Sequence, residues 1–283
     1  MKRAQIAVVG GPTLWLAAFV LAPFAIVSVI SFAQAIDAQP PFALGLSFES
    51  YRLMVFDSLY AEAYWNAARI AATSALICLL IGYPMAYALT RAPVQWRAIL
   101  LLLVILPFWT SFLIRVYAWM ALLRPTGILN NVLLWIGAID APLQLINNAF
   151  AIHLGIVYSY LPFMVLPLYA SLEKIDRGLL EAAADLGAPP WRSFIWITVP
   201  LSLPGVMAGL LLVFVPAVGE FVIPELLGGP DTPMIGRVLW TEFFGNRDWP
   251  TAAAISVVLT MLLVAPIALL QHLLAPPAPS EQQ

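Results

Sequence analysis

The sequence predicts an all-α membrane protein with six transmembrane helices, and three observations lead to that prediction. Hydrophobic residues make up 62% of the 283-residue chain and charged residues only 10%, whereas a soluble domain carries about 25% charged residues. Apolar stretches that reach the roughly 20 residues needed to cross the hydrocarbon core recur along the chain. Runs such as 99–106 do not alternate between apolar and polar residues, which argues against barrel strands.

Six uncharged stretches define the predicted helices. They run over 4–36, 70–90, 98–114, 141–172, 193–219 and 250–280, and the third continues past Arg115 to Leu123. The helices are expected to be centred near residues 20, 79, 110, 159, 212 and 262. Lys2 and Arg3 before the first stretch are also typical of a signal peptide. That stretch is about twice the 7–15 residues of a signal core, so we expect it to remain as a helix.

Basic residues in the predicted loops indicate the orientation of the chain. A cytoplasmic N-terminus places seven of them on that side: Lys2, Arg3, Arg91, Arg97, Lys174, Arg177 and Arg192. The opposite side then has four: Arg52, Arg124, Arg237 and Arg247. Because cytoplasmic loops carry an excess of Lys and Arg, both chain ends are predicted to be cytoplasmic. Residues 1–275 are expected to form a single transmembrane domain, and 276–283 a disordered tail.

The longest predicted cytoplasmic segment, residues 175–205, carries the signals of two short helices. Asp176 is placed to cap the first helix. Three apolar residues of that helix share one face: Leu179, Ala183 and Leu186. Gly187 is expected to end the helix in a left-handed conformation. Pro190 suits the first position of a second helix.

Two acidic residues of this segment, Glu181 and Asp185, are four positions apart. Like charges at that spacing repel each other on an isolated helix. A basic group on a partner that contacts both carboxylates would offset this repulsion. The alternative is an ordinary interfacial helix pair with a solvated acidic face.

The same segment contains a motif of composite spacing. Glu181-Ala182-Ala183 is followed after three residues by Gly187, and after nine more by Ile197-Thr198-Val199-Pro200. This pattern resembles the EAA loop of ABC importer permeases, with Val199 in place of the usual leucine. The resemblance implies a type I ABC importer permease fold, in which this loop docks on a separate ATPase subunit as a coupling helix. It assigns the coupling role to six residues: Glu181, Ala182, Ala183, Asp185, Gly187 and Pro200.

Nucleotide and metal chemistry are not expected on this chain. It has no G-x-x-x-x-G-K-[ST] phosphate loop, so ATP and magnesium are expected on a partner ATPase, and no cofactor here. His153 and His272 stand alone in apolar stretches and give no metal-ligand spacing. A net charge of −2 argues against nucleic acid as a partner. We therefore predict a transporter subunit without catalytic residues or a metal site, not an enzyme.

Two further stretches resemble the spermidine/putrescine branch of these permeases. They are residues 107–119 (PFWTSFLIRVYAW) and 226–236 (LLGGPDTPMIG), and Arg247-Asp248-Trp249-Pro250 completes the second. This likeness implies a polyamine solute and a bacterial inner-membrane complex. Its other members would be a second permease, two ATPase subunits and a periplasmic binding protein, with lipid around the helices. Relatives of this branch move other solutes, so an amino-acid-like, opine-like or metal cargo is the alternative.

A polyamine needs carboxylates and aromatic faces, and six residues are candidates for contact with it: Glu220, Glu225, Asp231, Trp109, Tyr117 and Trp119. Glu220, at the outer end of the fifth predicted helix, either lines the pathway or pairs with Arg115 or a neighbouring subunit. The other two carboxylates either face the pathway, contact the binding protein or face water. The three aromatic residues either line a channel or belong to the interfacial aromatic belt.

Two other classes of membrane protein fit the sequence less well. A secondary transporter often shows inverted repeats and ion-coupling carboxylates near the membrane midplane, but acidic residues are nearly absent from the predicted helix centres. A membrane-embedded enzyme needs clustered Asp, His or Glu on facing helices. The sequence therefore favours an importer permease, with a secondary transporter as the alternative.

Overall fold

A computed structural model describes residues 2–274, and the side chains of residues 9–265. Its helices are α1 (Lys2–Ile30), α2 (Glu49–Phe56), α3 (Ser58–Arg91), α4 (Val94–Ile105), α5 (Phe112–Leu123), α6 (Ile128–Trp135), α7 (Ala149–Glu173), α8 (Arg177–Asp185), α9 (Pro190–Ser193), α10 (Val199–Val218), α11 (Val222–Leu227), α12 (Ile235–Trp240) and α13 (Trp249–Leu274). Short antiparallel strands β1 (Gln34–Ala35) and β2 (Phe42–Ala43) pair Gln34 with Ala43. A 3-10 turn covers Leu106–Trp109, and wider π turns cover Phe194–Thr198 and Thr241–Gly245. The predicted tail, 276–283, lies outside the described residues.

Five helical stretches among the described residues are long and apolar enough to cross a membrane. They are Val9–Ile30, Ser58–Arg91, Phe112–Trp135, Ala149–Glu173 and Pro190–Val218. Two shorter apolar helices, Val94–Trp109 and Trp249–Ala265, accompany them. The prediction of an all-α membrane protein is therefore confirmed, whereas the cytoplasmic placement of the chain ends stays a prediction.

The chain departs from the predicted helices near residue 110, where a single third helix was expected. Helix α4 ends at Ile105, the 3-10 turn follows, and the backbone is extended at Thr110 before α5 begins at Phe112. Pro107 lies in this turn and has no N–H to donate to the preceding helical turn. The carbonyl of Pro107 accepts a hydrogen bond of 2.8 Å from the hydroxyl of Thr110. The third apolar stretch is therefore two helices joined by a break.

The chain divides into two compact units, and one of them combines both ends of the described chain, up to Ala61 and from Val238. In this unit α1 and α2 each pack against α13. The ring of Trp249, at the start of α13, stacks on Phe243 with 5.1 Å between centroids. The other unit is Glu62–Arg237. The prediction of a single domain stays a prediction.

In the second unit, α7 and α10 are paired along their length. Gly205 and Gly209 of α10 bring the two backbones together. A β-carbon added at Gly205 would lie 2.7 Å from the Pro167 carbonyl oxygen, and one at Gly209 would lie 2.6 Å from the sulfur of Met164. Small residues four positions apart are typical of close helix contacts in membranes, because apolar burial gives no driving force between helices in lipid.

Candidate functional site

The segment predicted to couple to an ATPase contains a short helix that is capped at both ends. Oδ1 of Asp176 accepts the N–H of Gly178 over 3.0 Å and so caps α8. Gly187 has a φ of +78°, in the left-handed region. Its N–H donates to the carbonyl of Ala184, and that of Ala188 donates to the carbonyl of Ala183, the hydrogen-bond pattern of a Schellman turn. The predicted capping roles of Asp176 and Gly187 are confirmed.

The predicted second short helix is not an independent element. Pro190 is at the first position of α9, as expected, but α9 runs through the π turn into α10. Within that turn, the N–H of Val199 donates to the carbonyl of Phe194, five residues earlier. The widened turn ends two residues before Pro200, whose ring would clash with the preceding turn of a regular helix and which has no N–H to donate. The loop is therefore continuous with the start of a predicted membrane-crossing helix.

The surface of this segment is open. Glu181, Ala182, Asp185, Gly187 and Pro200 are exposed, and Ala183 is half-buried. Neither Glu181 nor Asp185 forms an ion pair within residues 9–265. The side chain of Leu186 is 88% exposed. An acidic and apolar surface of this kind suits a partner that offers both basic and apolar groups.

A second feature is a cavity of about 510 Å³, which we call the aromatic cavity. Its lining residues include five aromatic ones, together with Arg115 and Glu220: Phe108, Phe112, Tyr160, Phe163 and Phe221. The ring of Phe163 contacts those of Phe108 and Tyr160, with centroid distances of 5.0 Å and 6.0 Å. The cavity is therefore lined by aromatic residues, three of them in mutual contact, and by the carboxylate of Glu220.

Glu220 lies in the gap between α10 and α11, and its carboxylate is buried. Its Oε2 accepts the hydroxyl of Tyr160 over 2.6 Å. Its Oε1 accepts the backbone N–H groups of Phe221 and Val222 over 3.1 Å and 3.0 Å. Among residues 9–265, no ion pair links Glu220 to Arg115. Neutral donors within the chain therefore hold this carboxylate.

Arg115 lies on the first turn of α5 and is buried. Its Nη1 donates to the carbonyl of Pro107 over 2.7 Å, which bridges the break between α4 and α5. Its guanidinium lies over the rings of Phe108 and Phe112, at 5.0 Å and 5.9 Å from their centroids. Within residues 9–265 the buried Nε has no hydrogen-bond partner. Arg115 is therefore a buried cation held by aromatic faces and one carbonyl.

The other two candidate carboxylates lie elsewhere in the second unit. Glu225 forms an ion pair with Arg237, with 2.7 Å between Oε2 and Nε, and both side chains are partly exposed. Asp231 is exposed in the loop between α11 and α12. That loop packs closely on Asn147, since a β-carbon at Gly229 would lie 2.4 Å from the Asn147 carbonyl oxygen. Neither carboxylate lines the aromatic cavity.

The three aromatic candidates are not brought together. Trp109 and Tyr117 are exposed, and Trp119 packs its ring edge-on against Tyr158. None of the three lines the aromatic cavity. Exposed aromatic residues on apolar helices suit the interfacial belt.

Sequence reasoning missed the residues that build the cavity wall. Phe108 and Phe112 lie within the stretch singled out by resemblance, but no spacing rule distinguished them from Trp109 or Tyr117. Tyr160 and Phe163 lie in α7, about 60 residues from Glu220, so no local pattern connects them. The available signal was Pro107, which marks a helix break where the cavity forms.

Residues 5–276 match the family described as the inner membrane component of binding-protein-dependent transport systems. The spermidine/putrescine transport system permease protein PotB of Haemophilus influenzae is 43% identical over 249 residues, which is 88% of this chain and 86% of that protein. The protein of that name from Escherichia coli is 42% identical over 88% of this chain and 90% of its own length.

A solved structure has the same fold. It is a bacterial alginate ABC transporter in complex with a periplasmic protein carrying an alginate pentasaccharide. The aligned chain has a TM-score of 0.71 and 18% sequence identity, and the match covers 96% of this chain and 94% of that one. At this identity the likeness concerns the fold alone.

Proposed function

The chain belongs to the family of inner membrane components of binding-protein-dependent transport systems, and from this premise we propose that it forms half of an import pathway for a polyamine such as spermidine or putrescine. The observation that carries the proposal is the 43% and 42% identity, over 88% of the chain, to relatives named as permeases for these amines. The aromatic cavity supports it, since an ammonium group is attracted to aromatic faces and to a carboxylate.

We propose that the capped loop couples this membrane component to an ATPase on a partner chain. The acidic and apolar residues of α8 are exposed, and Gly187 fixes the direction in which the helix ends. In this proposal Glu181, Ala182, Ala183, Asp185, Gly187 and Pro200 form the contact. Because the loop continues into α10, movement of the ATPase subunits would be transmitted to the helix that ends next to Glu220.

The proposed assembly contains two permease chains, two ATPase subunits with ATP and magnesium, and a periplasmic binding protein in a bacterial inner membrane. Closure of the ATPase subunits would draw the coupling helices together and open the pathway outward. The binding protein would then release its solute, and hydrolysis would return the pathway to the inward side. This chain contributes pathway lining and mechanical coupling, and the bond-breaking chemistry is that of the ATPase.

A zwitterionic, amino-acid-like solute is the second candidate. The aromatic cavity contains one carboxylate, Glu220, and one guanidinium, Arg115, which together match an amine and a carboxylate on one solute. A polyamine carries only positive charge, so the two solute classes make opposite demands on Arg115. Loss of the guanidinium in R115Q is expected to weaken binding of a zwitterionic solute and to strengthen binding of a polyamine.

The experiment that tests the proposed function measures ATP hydrolysis by the reconstituted complex with its binding protein, with and without spermidine or putrescine. Stimulation by either amine is the expected result. ATP hydrolysis that no amine stimulates would reject the polyamine and keep the importer. Failure of any ATPase to co-purify would reject the coupling proposal itself.

A further inference from the structure

We propose that the aromatic cavity is an ammonium site already occupied by a cation of the chain itself, the guanidinium of Arg115, which an incoming amine must displace. This inference deepens the proposed function and rests on it. It assigns to Arg115 a role in setting how tightly the cavity binds its solute.

The first support is the position of the guanidinium. Arg115 lies at 5.0 Å from the Phe108 centroid and 5.9 Å from the Phe112 centroid, within the roughly 6 Å over which a cation is attracted to an aromatic ring. Both rings belong to the cavity wall. Two of the aromatic rings to which a solute ammonium would be attracted are therefore already in contact with Arg115.

The second support is how incompletely Arg115 is bound. A guanidinium has five N–H donors, and in the part of the chain with described side chains one acceptor is recorded for Arg115, the carbonyl of Pro107 at 2.7 Å. The buried Nε has no partner, and within residues 9–265 no carboxylate pairs with Arg115. Arg115 therefore has a backbone-carbonyl partner of the kind common for arginines at membrane depth, but no carboxylate balances its charge within residues 9–265. Its displacement by an amine would break one hydrogen bond and two ring contacts.

The third support is the state of Glu220. Its carboxylate has about four acceptor sites, and three are filled by neutral donors, those of Tyr160, Phe221 and Val222. Oε2 accepts one hydrogen bond, from Tyr160, and so retains an acceptor site. An ammonium group can therefore bind Glu220 without breaking any of these bonds.

Exchange of one cation for another explains why a cationic pathway contains an arginine. A site with only aromatic faces and a carboxylate would retain an amine, whereas a transporter must release it. Arg115 is tethered to α5, so it competes at a fixed and high local concentration. It lowers the affinity of the cavity for the amine and promotes release.

The test measures equilibrium binding of radiolabelled spermidine to the reconstituted complex without its binding protein. R115Q keeps an N–H donor for the Pro107 carbonyl and removes the charge, and we expect it to bind spermidine about three- to thirtyfold more tightly. R115K keeps a tethered cation and is expected to stay nearer to the native affinity. R52Q is the matched control, because Arg52 lies over the Phe56 ring at 5.7 Å on the short surface helix α2.

Unchanged or weaker binding of spermidine by R115Q would overturn the inference. Amine-stimulated ATP hydrolysis by the native complex, together with unchanged binding by R115Q, rejects this inference and leaves the proposed function intact. Absence of that stimulation rejects the polyamine as the solute, and this inference with it.

A second measurement uses the native chain and does not depend on folding of a variant. Phenylglyoxal reacts with accessible guanidinium groups, and mass spectrometry locates the modified residue. We expect saturating spermidine to increase modification of Arg115, because the displaced side chain leaves its buried position, while Arg52 is unaffected. Reduced or unchanged modification of Arg115 would contradict displacement.

Discussion

The hydroxyl of Tyr60 donates a hydrogen bond of 3.1 Å to Oε1 of Glu242. Both side chains are buried, and Nδ2 of Asn246 donates to the other carboxylate oxygen over 2.8 Å. The arrangement parallels that of Glu220, which also accepts from a tyrosine and from further N–H groups. Only Glu220 lines the aromatic cavity. Glu242 is therefore a matched control for the role of Glu220 in transport.

Glu220→Gln is expected to weaken amine uptake more than Glu242→Gln. Both changes preserve side-chain volume and remove one charge, but only the first removes a charge from the cavity wall. A hydrogen bond to a charged group contributes about 1.4 kcal/mol more stabilisation than one to a neutral group. If one such bond to the amine is affected, E220Q is expected to lower uptake about tenfold. Uptake by reconstituted vesicles is the measurement. Equal activity of the two variants would remove Glu220 from the pathway.

Glu181→Lys is expected to uncouple ATP hydrolysis from uptake without loss of assembly. Glu181 is exposed, so reversal of its charge changes the proposed docking surface and not the core. Like charges across an interface cost several kcal/mol, and we expect uptake to fall by at least about tenfold. Glu49→Lys reverses another exposed acidic residue and is expected to change little. Uptake by E181K at the native rate would count against the coupling role.

Gly187→Ala is expected to impair coupling through the backbone. Gly187 and Gly137 have φ values of +78° and +70°, and neither would bring an added β-carbon within 4 Å of a neighbour. Each alanine therefore costs about 1–2 kcal/mol of local strain without a clash. Only G187A is expected to lower the ratio of uptake to ATP hydrolysis, and Gly187→Asn should recover part of it because asparagine tolerates this conformation.

Gly137→Ala is the matched variant, because Gly137 ends α6 with the same hydrogen-bond pattern. The N–H groups of Gly137 and Ala138 donate to the carbonyls of Leu134 and Leu133. This variant measures the cost of strain alone. If both alanine variants lowered the coupling ratio equally, the turn at Gly187 would have no specific role.

Gly205→Ala is expected to destabilise the chain more than Gly209→Ala. The new methyl group at residue 205 would meet backbone, the Pro167 carbonyl oxygen at 2.7 Å, whereas that at 209 would meet the flexible end of Met164. Overpacking of this kind costs about 1–3 kcal/mol where the neighbour cannot move. Thermal unfolding of the purified protein is the measurement. A larger loss for G209A would show that Met164 is the more rigid neighbour.

Much of the architecture follows from local sequence. Hydropathy identifies the long helices because lipid admits few charges, and the caps at Asp176 and Gly187 follow from hydrogen bonding within a few residues. The break at Pro107 escapes a hydropathy scan because apolar residues continue through it. Transmembrane helices commonly contain proline without ending, so Pro107 alone did not predict the break.

The cavity depends on contacts that sequence spacing does not encode. Tyr160 meets Glu220 because glycine contacts bring α7 and α10 together. From charge alone, pairing with Arg115 is one alternative to a pathway role for Glu220. The free backbone N–H groups at the start of α11 and the Tyr160 hydroxyl bind the carboxylate instead. Three-dimensional packing, and not charge, decides its partners.

The π turn at Phe194–Thr198 inserts one extra residue into the helix without adding a turn. Each residue of a regular helix advances the side chains by about 100° around the axis. Deletion of one residue between Phe194 and Thr198 would restore regular geometry and rotate everything before it, including α8, by roughly that angle relative to α10. The orientation of α8 around the axis of α10 therefore depends on the number of residues in this turn. A deletion would change that orientation, whereas a substitution would not.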